Sequence, residues 1–331
     1  MVADRLPPLA CRAPFGRYGL VIMDNIIPLE LVSKTRVGKD FCILNLEAET
    51  PLLDHGPGAH ISLKTPSGWR NYSLASLSDG KSWQVAVKAE RTGRGGSVWI
   101  TDSLEPGMMI DAQPPSNSFP LEDADDYLLI AGGIGITPIL SMARQLDRQG
   151  KRYELIYCVR DNDTAVFRDE VAALNGAVTI HADNGSEDEF FDFWPLLETP
   201  DKKLVYCCGP KFLMEDIADM SGHWPSHQIH FEDFKPVERV RPDDKPFDIQ
   251  INNSDQKIYV PADKTALEAL RDAGFDLRSS CESGTCGTCR VRHLSGEVIH
   301  HDLVLSGDQK EKFMMLCVSR GAETIEIDIS E

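Results

Sequence analysis

Cys281-Glu-Ser-Gly-Thr-Cys286-Gly-Thr-Cys289, with a fourth cysteine at Cys317, is the stretch whose reading decides the fold. Three cysteines spaced C-x4-C-x2-C and a distant fourth form the plant-type arrangement for a [2Fe–2S] cluster. One loop has to wrap most of a small cluster, so its thiolates sit close together. Gly284 and Gly287 tolerate the dihedrals that turn backbone N–H groups toward the sulfurs. A structural zinc site, or a set of buried thiols, is the other reading of Cys281, Cys286, Cys289 and Cys317. Structural zinc usually pairs two C-x2-C or C/H knuckles. This chain has one C-x2-C and no second pair near Cys317, so the spacing favours iron–sulfur. Such a cluster carries a single electron, which directs the search upstream for an electron source.

A length of 331 residues suits two or three domains, each with its own core. The net charge of −18 argues against nucleic acid and against an anionic membrane surface, and fits docking on basic patches. The five cysteines outside the motif, Cys11, Cys42, Cys158, Cys207 and Cys208, are scattered through apolar segments, as in a reducing cytosol. Asp4, Pro7 and Pro8 interrupt any signal-like opening, and no apolar run reaches membrane-spanning length, so the expected location is cytoplasmic.

Residues 1–28 read as a lead-in without clear period. From 29 to 122, Leu29-Glu-Leu-Val-Ser-Lys-Thr-Arg, Phe41-Cys-Ile-Leu-Asn-Leu, His60-Ile-Ser-Leu-Lys, Trp83-Gln-Val-Ala-Val-Lys and Met109-Ile-Asp-Ala alternate at β period between Gly/Pro turns. That pattern predicts an antiparallel barrel or sandwich. From 123 to 234 strands alternate with helices, which implies a doubly wound parallel α/β sheet. Its predicted strands are Tyr127-Leu-Leu-Ile-Ala, Tyr153 to Val159, Val178-Thr-Ile-His and Leu204-Val-Tyr-Cys-Cys; its predicted helices are Ile139 to Leu146, Ala165 to Leu174 and Lys211 to Met220. A Pro-bearing linker, 235–246, precedes a last domain, 247–331, with strands at Phe247-Asp-Ile-Gln-Ile and Ile258-Tyr-Val, a helix near Ala266 to Ala273, and the cysteine loop.

The turn Gly132-Gly-Ile-Gly-Ile-Thr-Pro138 follows a strand and opens a helix, where a dinucleotide pyrophosphate meets free N–H groups and the positive helix end. Gly133 and Gly135 would allow close approach, and Pro138 suits the first helical position. It is not the G-x-G-x-x-G fingerprint, and a plain tight turn is the bland alternative. Two more segments lie at carboxyl ends of strands, where ligands of open sheets gather: Arg160-Asp161 and Cys208-Gly209-Pro210. Asp161 could hydrogen-bond an adenosine ribose and favour NADH over NADPH, or be a solvated loop aspartate, and Arg160 beside it blurs the choice. In the β-domain, Arg70-Asn-Tyr72-Ser73 offers a guanidinium, a ring and a hydroxyl, and Gly93-Arg-Gly-Gly96-Ser97 offers backbone N–H groups to a phosphate. Either alone reads as surface plus core. The pair His300-His301 lacks partners at ligand spacing and reads as surface or packing.

Arg70-Asn-Tyr-Ser, Gly93-Arg-Gly-Gly-Ser, Ala131-Gly-Gly-Ile-Gly-Ile-Thr-Pro, Tyr206-Cys-Cys-Gly-Pro, His230-Phe-Glu-Asp-Phe and the cysteine loop follow in the order seen in the phthalate dioxygenase reductase family. The chain resembles that family over nearly everything after about residue 29. The resemblance implies an FMN-binding β-barrel, a ferredoxin-reductase-like NADH domain and an α+β plant-type ferredoxin domain, together feeding a terminal Rieske-type oxygenase or demethylase that acts on an aromatic substrate. It further implies that Arg70 binds the FMN phosphate with Gly95, Gly96 and Ser97, that Tyr72 packs on the flavin, and that Ser73 sits by its reactive nitrogen. Val87 and Lys88 would line the ring edge, Thr137 and Cys208 border the nicotinamide, and Phe231 cover the other flavin face, unless Phe234 does so or both are core. Ser73, Cys208 and Phe231 are thus the expected residues of the hydride step. NADH gives up two electrons at once and a cluster takes one, so a flavin between them joins the two ends. Competing readings are an FAD-containing reductase for another acceptor, such as a haem monooxygenase, and a zinc-stabilised redox-sensing binding protein.

Overall fold

The computed structural model describes residues 26–331 apart from 94, 235–240, 242, 255, 276, 278, 280–283, 285, 286, 303, 330 and 331. Alternate burial builds the first sheet: Leu29 and Leu31, Leu44 and Leu46, Ile61 and Leu63, and Val85 and Val87 are all fully buried two residues apart. These residues lie on β1 (Ile27–Val37), β2 (Phe41–Glu47), β3 (His60–Thr65) and β5 (Ser82–Lys88); β4 (Gly68–Ser73) and β6 (Met109–Ala112) complete the sheet. The order is β4-β3-β6-β1-β2-β5 with antiparallel pairing. A bridge between Leu74 and Val85, and a bond from Ala75 N to Gln84 O at 2.8 Å, draw the two outer strands together and close the sheet as a barrel. The sequence reading has a turn at Gly93–Ser97; there the chain enters helix α1 (Gly96–Asp102), which buries Ile100. Glycines at 93, 95 and 96 signal a turn and mask the start of the helix.

The second sheet is parallel, in the order β11-β10-β7-β8-β9, from β7 (Asp126–Gly132), β8 (Arg152–Val159), β9 (Ala177–Ala182), β10 (Leu204–Cys208) and β11 (Ile229–Glu232). Both faces are covered at the centre of the sheet, so β7 and β10 read as continuous apolar runs. Tyr127, Leu129 and Ala131 of β7 pack under helix α2 (Ile136–Gln149) on one face. Leu128 and Ile130 pack on the other against α4 (Trp194–Leu197) and α5 (Lys211–Met220). The helix expected over Ala165 to Leu174 shrinks to α3 (Arg168–Ala172), because Phe167 takes a left-handed φ of 59° and Ala165, Val166 and Phe167 are spent on the core instead. The chain runs outward from β7 to β9, then crosses back to β10, so a switch point falls between β7 and β10, where open α/β sheets hold ligands.

The third sheet is mixed, in the order β13-β12-β18-β14-β16. It comprises β12 (Phe247–Ile251), β13 (Lys257–Val260), β14 (Arg290–Ser295), β16 (Phe313–Met315) and β18 (Thr324–Asp328), with β15 (Val298–Ile299) and β17 (Arg320–Gly321) paired beside it. Helix α6 (Ala266–Asp272) opens on a capping box, in which Glu268 N donates to Thr265 Oγ1 at 3.1 Å and Thr265 N to Glu268 Oε2 at 3.0 Å. A short α7 (Gly307–Lys310) precedes β16. Among the described residues no helix is long and apolar enough to cross a membrane. Barrel and α/β sheet share one hydrophobic cluster, in which Ile43, Ala75, Ala86 and Phe119 meet Ile136, Ile139 and Leu140.

Candidate functional site

The glycine turn and the end of β10 cross each other closely. A Cβ on Gly135 would stand 2.1 Å from the carbonyl oxygen of Cys208, and one on Gly209 would stand 3.0 Å from Gly132 Cα. Only glycine permits this approach. At Gly133, φ is +52° and a Cβ would meet nothing within 4 Å, so this side of the turn faces open space. No side chain caps the start of α2; the Ile136 N–H turns back to Gly133 O and Ile134 O and tightens the entry to the helix. Pro138 is the third residue of α2 rather than the first, because a tight turn at Gly133–Gly135 leads the helix in at Ile136. It remains in the first turn, where a missing N–H breaks no intrahelical bond. Thr137 is buried, and its hydroxyl donates back to Ile134 O at 3.1 Å, tying the turn together.

Next along the sheet edge, Asp161 Oδ1 accepts from Thr164 N at 2.8 Å and caps a short turn. A ribose hydroxyl would have to share that carboxylate. Arg160 reaches instead to the loop after β9, its Nε 3.3 Å from where a Cβ of Gly185 would be. On β10, burial pushes the thiol of Cys208 well above its ordinary range, with the nearby Glu232 adding to the effect. Register pairs Cys208 with Glu232 on β11. Burial raises the Glu232 carboxyl to about 8, and its Oε2 has no hydrogen-bond partner among the described residues. Sequence reasoning passed over Glu232, although it sits inside His230-Phe-Glu-Asp-Phe. Phe231 and Phe234 are 39% and 41% exposed, so neither is core packing and both remain available to a ligand.

Across the barrel boundary, β5 lies against the turn Gly133–Gly135. This contact brings the strand bearing Val87 and Lys88 to the glycine turn. The Val87 side chain belongs to the barrel core, so anything it offers a flat ring comes from its backbone; Lys88 is exposed, its Nζ 6.0 Å from the Phe41 ring centre. On β4, Ser73 is buried opposite His60, and Tyr72 packs on the barrel core, its phenol held above its ordinary pKa by burial. Arg70 is pre-set by bonds to Trp69 O at 2.6 Å and Ser67 O at 2.8 Å. Gly96 nests on the same corner: a Cβ there would lie 2.9 Å from Thr65 Oγ1, 3.0 Å from Ser67 Oγ and 3.1 Å from Arg70 Cγ. At Gly95 the space is open, and Ser97 Oγ accepts from Glu90 N at 2.9 Å, which folds the loop back on itself. The Thr65 hydroxyl is spent on Gly68 O at 2.7 Å, so a guanidinium, the Ser67 hydroxyl and uncapped N–H groups converge, a donor set suited to a phosphate.

Of the four motif cysteines, Cys289 and Cys317 lie among the described residues, whereas Cys281 and Cys286 lie outside them. Both described cysteines are buried in one apolar cluster. The pairing of Arg290 with Met315, and a bond from Leu316 N to Cys289 O at 3.2 Å, bring the distant Cys317 beside the loop. Gly284 presses on the Cys317 side too, a Cβ there falling 2.8 Å from Val318 Cγ2 and 3.2 Å from Asp302 Cα. Asp302 is buried and accepts from Leu305 N at 2.9 Å and Ser319 Oγ at 3.3 Å, so the segments around the loop are locked to one another. His300 lies 3.2 Å from Asp302 and 3.0 Å from Lys310 O, in keeping with a packing role. Brought together by folding, two buried thiols beside a glycine-bearing loop fit a cysteine-ligated cluster.

Comparison with known proteins accords with this geometry. Residues 129–219 match the oxidoreductase NAD-binding domain family, and residues 249–320 match the 2Fe-2S iron-sulfur cluster binding domain family. The phthalate 4,5-dioxygenase oxygenase reductase subunit of Pseudomonas putida is 39% identical over 311 residues, covering 91% of this chain and 96% of that protein. Vanillate O-demethylase oxidoreductase of a Pseudomonas species is 36% identical over 263 residues, covering 77% and 83%. The solved structure of phthalate dioxygenase reductase, described as modular for electron transfer from pyridine nucleotides to [2Fe–2S], superposes with a TM-score of 0.75 at 39% identity, covering 92% of this chain and 98% of that one.

Proposed function

The chain belongs to the phthalate dioxygenase reductase family, and on that premise we propose that it passes electrons from NADH through FMN to a [2Fe–2S] cluster and on to a terminal Rieske-type oxygenase acting on an aromatic substrate. It is an oxidoreductase with NAD-binding and [2Fe–2S] domains. The observation that carries the finer reading is the contact of β5 with the Gly133–Gly135 turn, which sets a flavin strand directly against a nucleotide-binding turn. A bound flavin accepts a hydride from NADH and releases its two electrons singly, matching a one-electron cluster.

The protein's own part is placement. Gly133, Gly135 and the first turn of α2, reaching to Pro138, hold the pyrophosphate; Thr137 and Cys208-Gly209-Pro210 border the nicotinamide; Arg160 and Asp161 stand at the adenosine end. Arg70, Gly95, Gly96 and Ser97 hold the flavin phosphate. Tyr72, Ser73 and the backbone of Val87 and Lys88 frame the ring, and Phe231 covers its other face until nicotinamide displaces it. Burial keeps the Cys208 thiol neutral, so the pocket gains no anion there. Cys281, Cys286, Cys289 and Cys317 ligate the cluster. With a net charge of −18, docking to a basic oxygenase surface should weaken as salt screens it.

Reconstitution with Rieske-type aromatic oxygenases and O-demethylases tests this reading. NADH consumption coupled to oxygenated product, slowed by added salt, is expected with the matching partner, and Cys289→Ser should abolish coupling while NADH still bleaches the flavin. A purified protein with zinc and no flavin, or flavin reduction that never reaches any such oxygenase, would contradict it.

A further inference from the structure

Helix α2 begins at the nucleotide turn, and its far half reaches into the barrel. Arg144 Nη1 donates to Ala75 O at 2.8 Å and to Gln84 Oε1 at 3.1 Å. Gln84 Nε2 then donates to Asn45 Oδ1 at 3.1 Å, and Asn45 Nδ2 to Ser33 Oγ at 2.7 Å. Each amide has its oxygen and nitrogen used in one consistent direction, so the chain of bonds runs from α2 through β5 and β2 to β1. One turn earlier on the same helix face, buried Ser141 Oγ accepts from Gly58 N at 3.0 Å and donates to Pro138 O at 2.7 Å. The guanidinium also stands 6.0 Å from the Phe167 ring, and Glu170 is the charge facing it. Its barrel partners are chosen by position: Ala75 lies two residues beyond Ser73, and Gln84 lies on β5 upstream of Val87 and Lys88.

Apolar packing already joins barrel and helix through Ile43, Ala75, Ala86, Ile136 and Ile139. Such packing is non-directional, whereas the hydrogen bonds of Arg144, with that of Ser141 one turn earlier, select one placement of the helix against the barrel. We infer that Arg144 is a positioning residue for hydride transfer, fixing α2, and with it the Gly133–Thr137 turn, against the strands that frame the flavin ring. This inference rests on the hydride path proposed above. A hydride crosses from nicotinamide carbon to flavin nitrogen with its electron pair, so the rate is steeply sensitive to that separation, and small misplacements cost up to about a hundredfold.

Anaerobic stopped-flow reduction of the holoprotein by NADH and by 4-deuterated NADH provides the test, using Arg144→Met and Arg144→Lys. Arg144→Met should lower the limiting rate of flavin reduction about tenfold and weaken the long-wavelength nicotinamide–flavin charge-transfer band, with the NADH dissociation constant and flavin content changed less than about twofold. Arg144→Lys should recover part of the rate. An unchanged limiting rate and band in Arg144→Met overturn the inference. Should that variant lose its flavin, Gln84→Met leaves every α2 residue intact and should show the same split more weakly; a wild-type rate and band there overturn it equally. Failure of NADH to reduce the flavin of the unaltered protein would instead refute the hydride path itself.

Discussion

Glu232→Gln is the substitution whose consequence can be worked furthest. Glu232 pairs with Cys208 across β10 and β11, and burial raises its carboxyl from 4.5 to about 8. Below pH 4.5 both the folded and the unfolded chain carry the proton, so the neutral acid's contribution to stability is fully present. As pH rises from 4.5 toward 8 the unfolded chain ionises while the folded one does not, and stability falls; above about 8 the loss is complete. At about 1.4 kcal/mol per pH unit, that window caps the change near 5 kcal/mol, about half the stability of an ordinary domain. Glutamine has the shape of the neutral acid and cannot ionise, so the variant should lack this slope. Urea unfolding midpoints of both proteins between pH 5 and pH 8.5 measure it, since a midpoint shift at constant slope in urea reports stability. The wild-type midpoint should fall relative to that of Glu232→Gln across the window. Parallel curves would falsify the assignment of a neutral, buried carboxyl. The same titration should reach the chemistry: flavin reduction by NADH should slow above about pH 8 in the wild type and stay level in the variant, because only the former acquires a charge beside Cys208.

Three further substitutions follow from close approaches and hydrogen bonds. Gly135→Ala sets a methyl 2.1 Å from the Cys208 carbonyl, backbone against backbone; it should cost about 1–3 kcal/mol and weaken NADH binding severalfold, read by thermal melting and NADH titration. Gly96→Ala pushes on Thr65, Ser67 and Arg70 at once, so the purified protein should retain less flavin, as the flavin-to-protein absorbance ratio would report. Tyr206→Phe removes a hydroxyl that accepts from Glu122 N at 2.8 Å and donates to Pro120 O at 3.2 Å, and calorimetry should register a loss of about 1–3 kcal/mol.

What could be read from the chain and what could not divide along physical lines. Period-2 burial on β1, β2, β3 and β5, and the apolar run of β7, are local patterns, and the fold class follows from them together with the cysteine spacing. α1 escapes because the glycines at 93, 95 and 96 read as a turn where it begins. Phe167 defeated the helix expected at Ala165 because its left-handed backbone answers to core packing rather than to propensity. Glu232 and Arg144 were invisible for another reason. A glutamate becomes a neutral acid only when folding removes water from it, and an arginine becomes a clamp only when Ala75 and Gln84 arrive from some 60 to 69 residues away.

Under the proposed function, three redox elements work in series within one chain. Anaerobic titration of the purified protein with NADH, combined with iron and flavin analysis, tests it most directly. About two irons and one flavin per chain are expected, with uptake of about three electrons, or one and a half NADH, as flavin and cluster bands bleach together. Zinc in place of iron, absence of flavin, or spectra indifferent to NADH would contradict it.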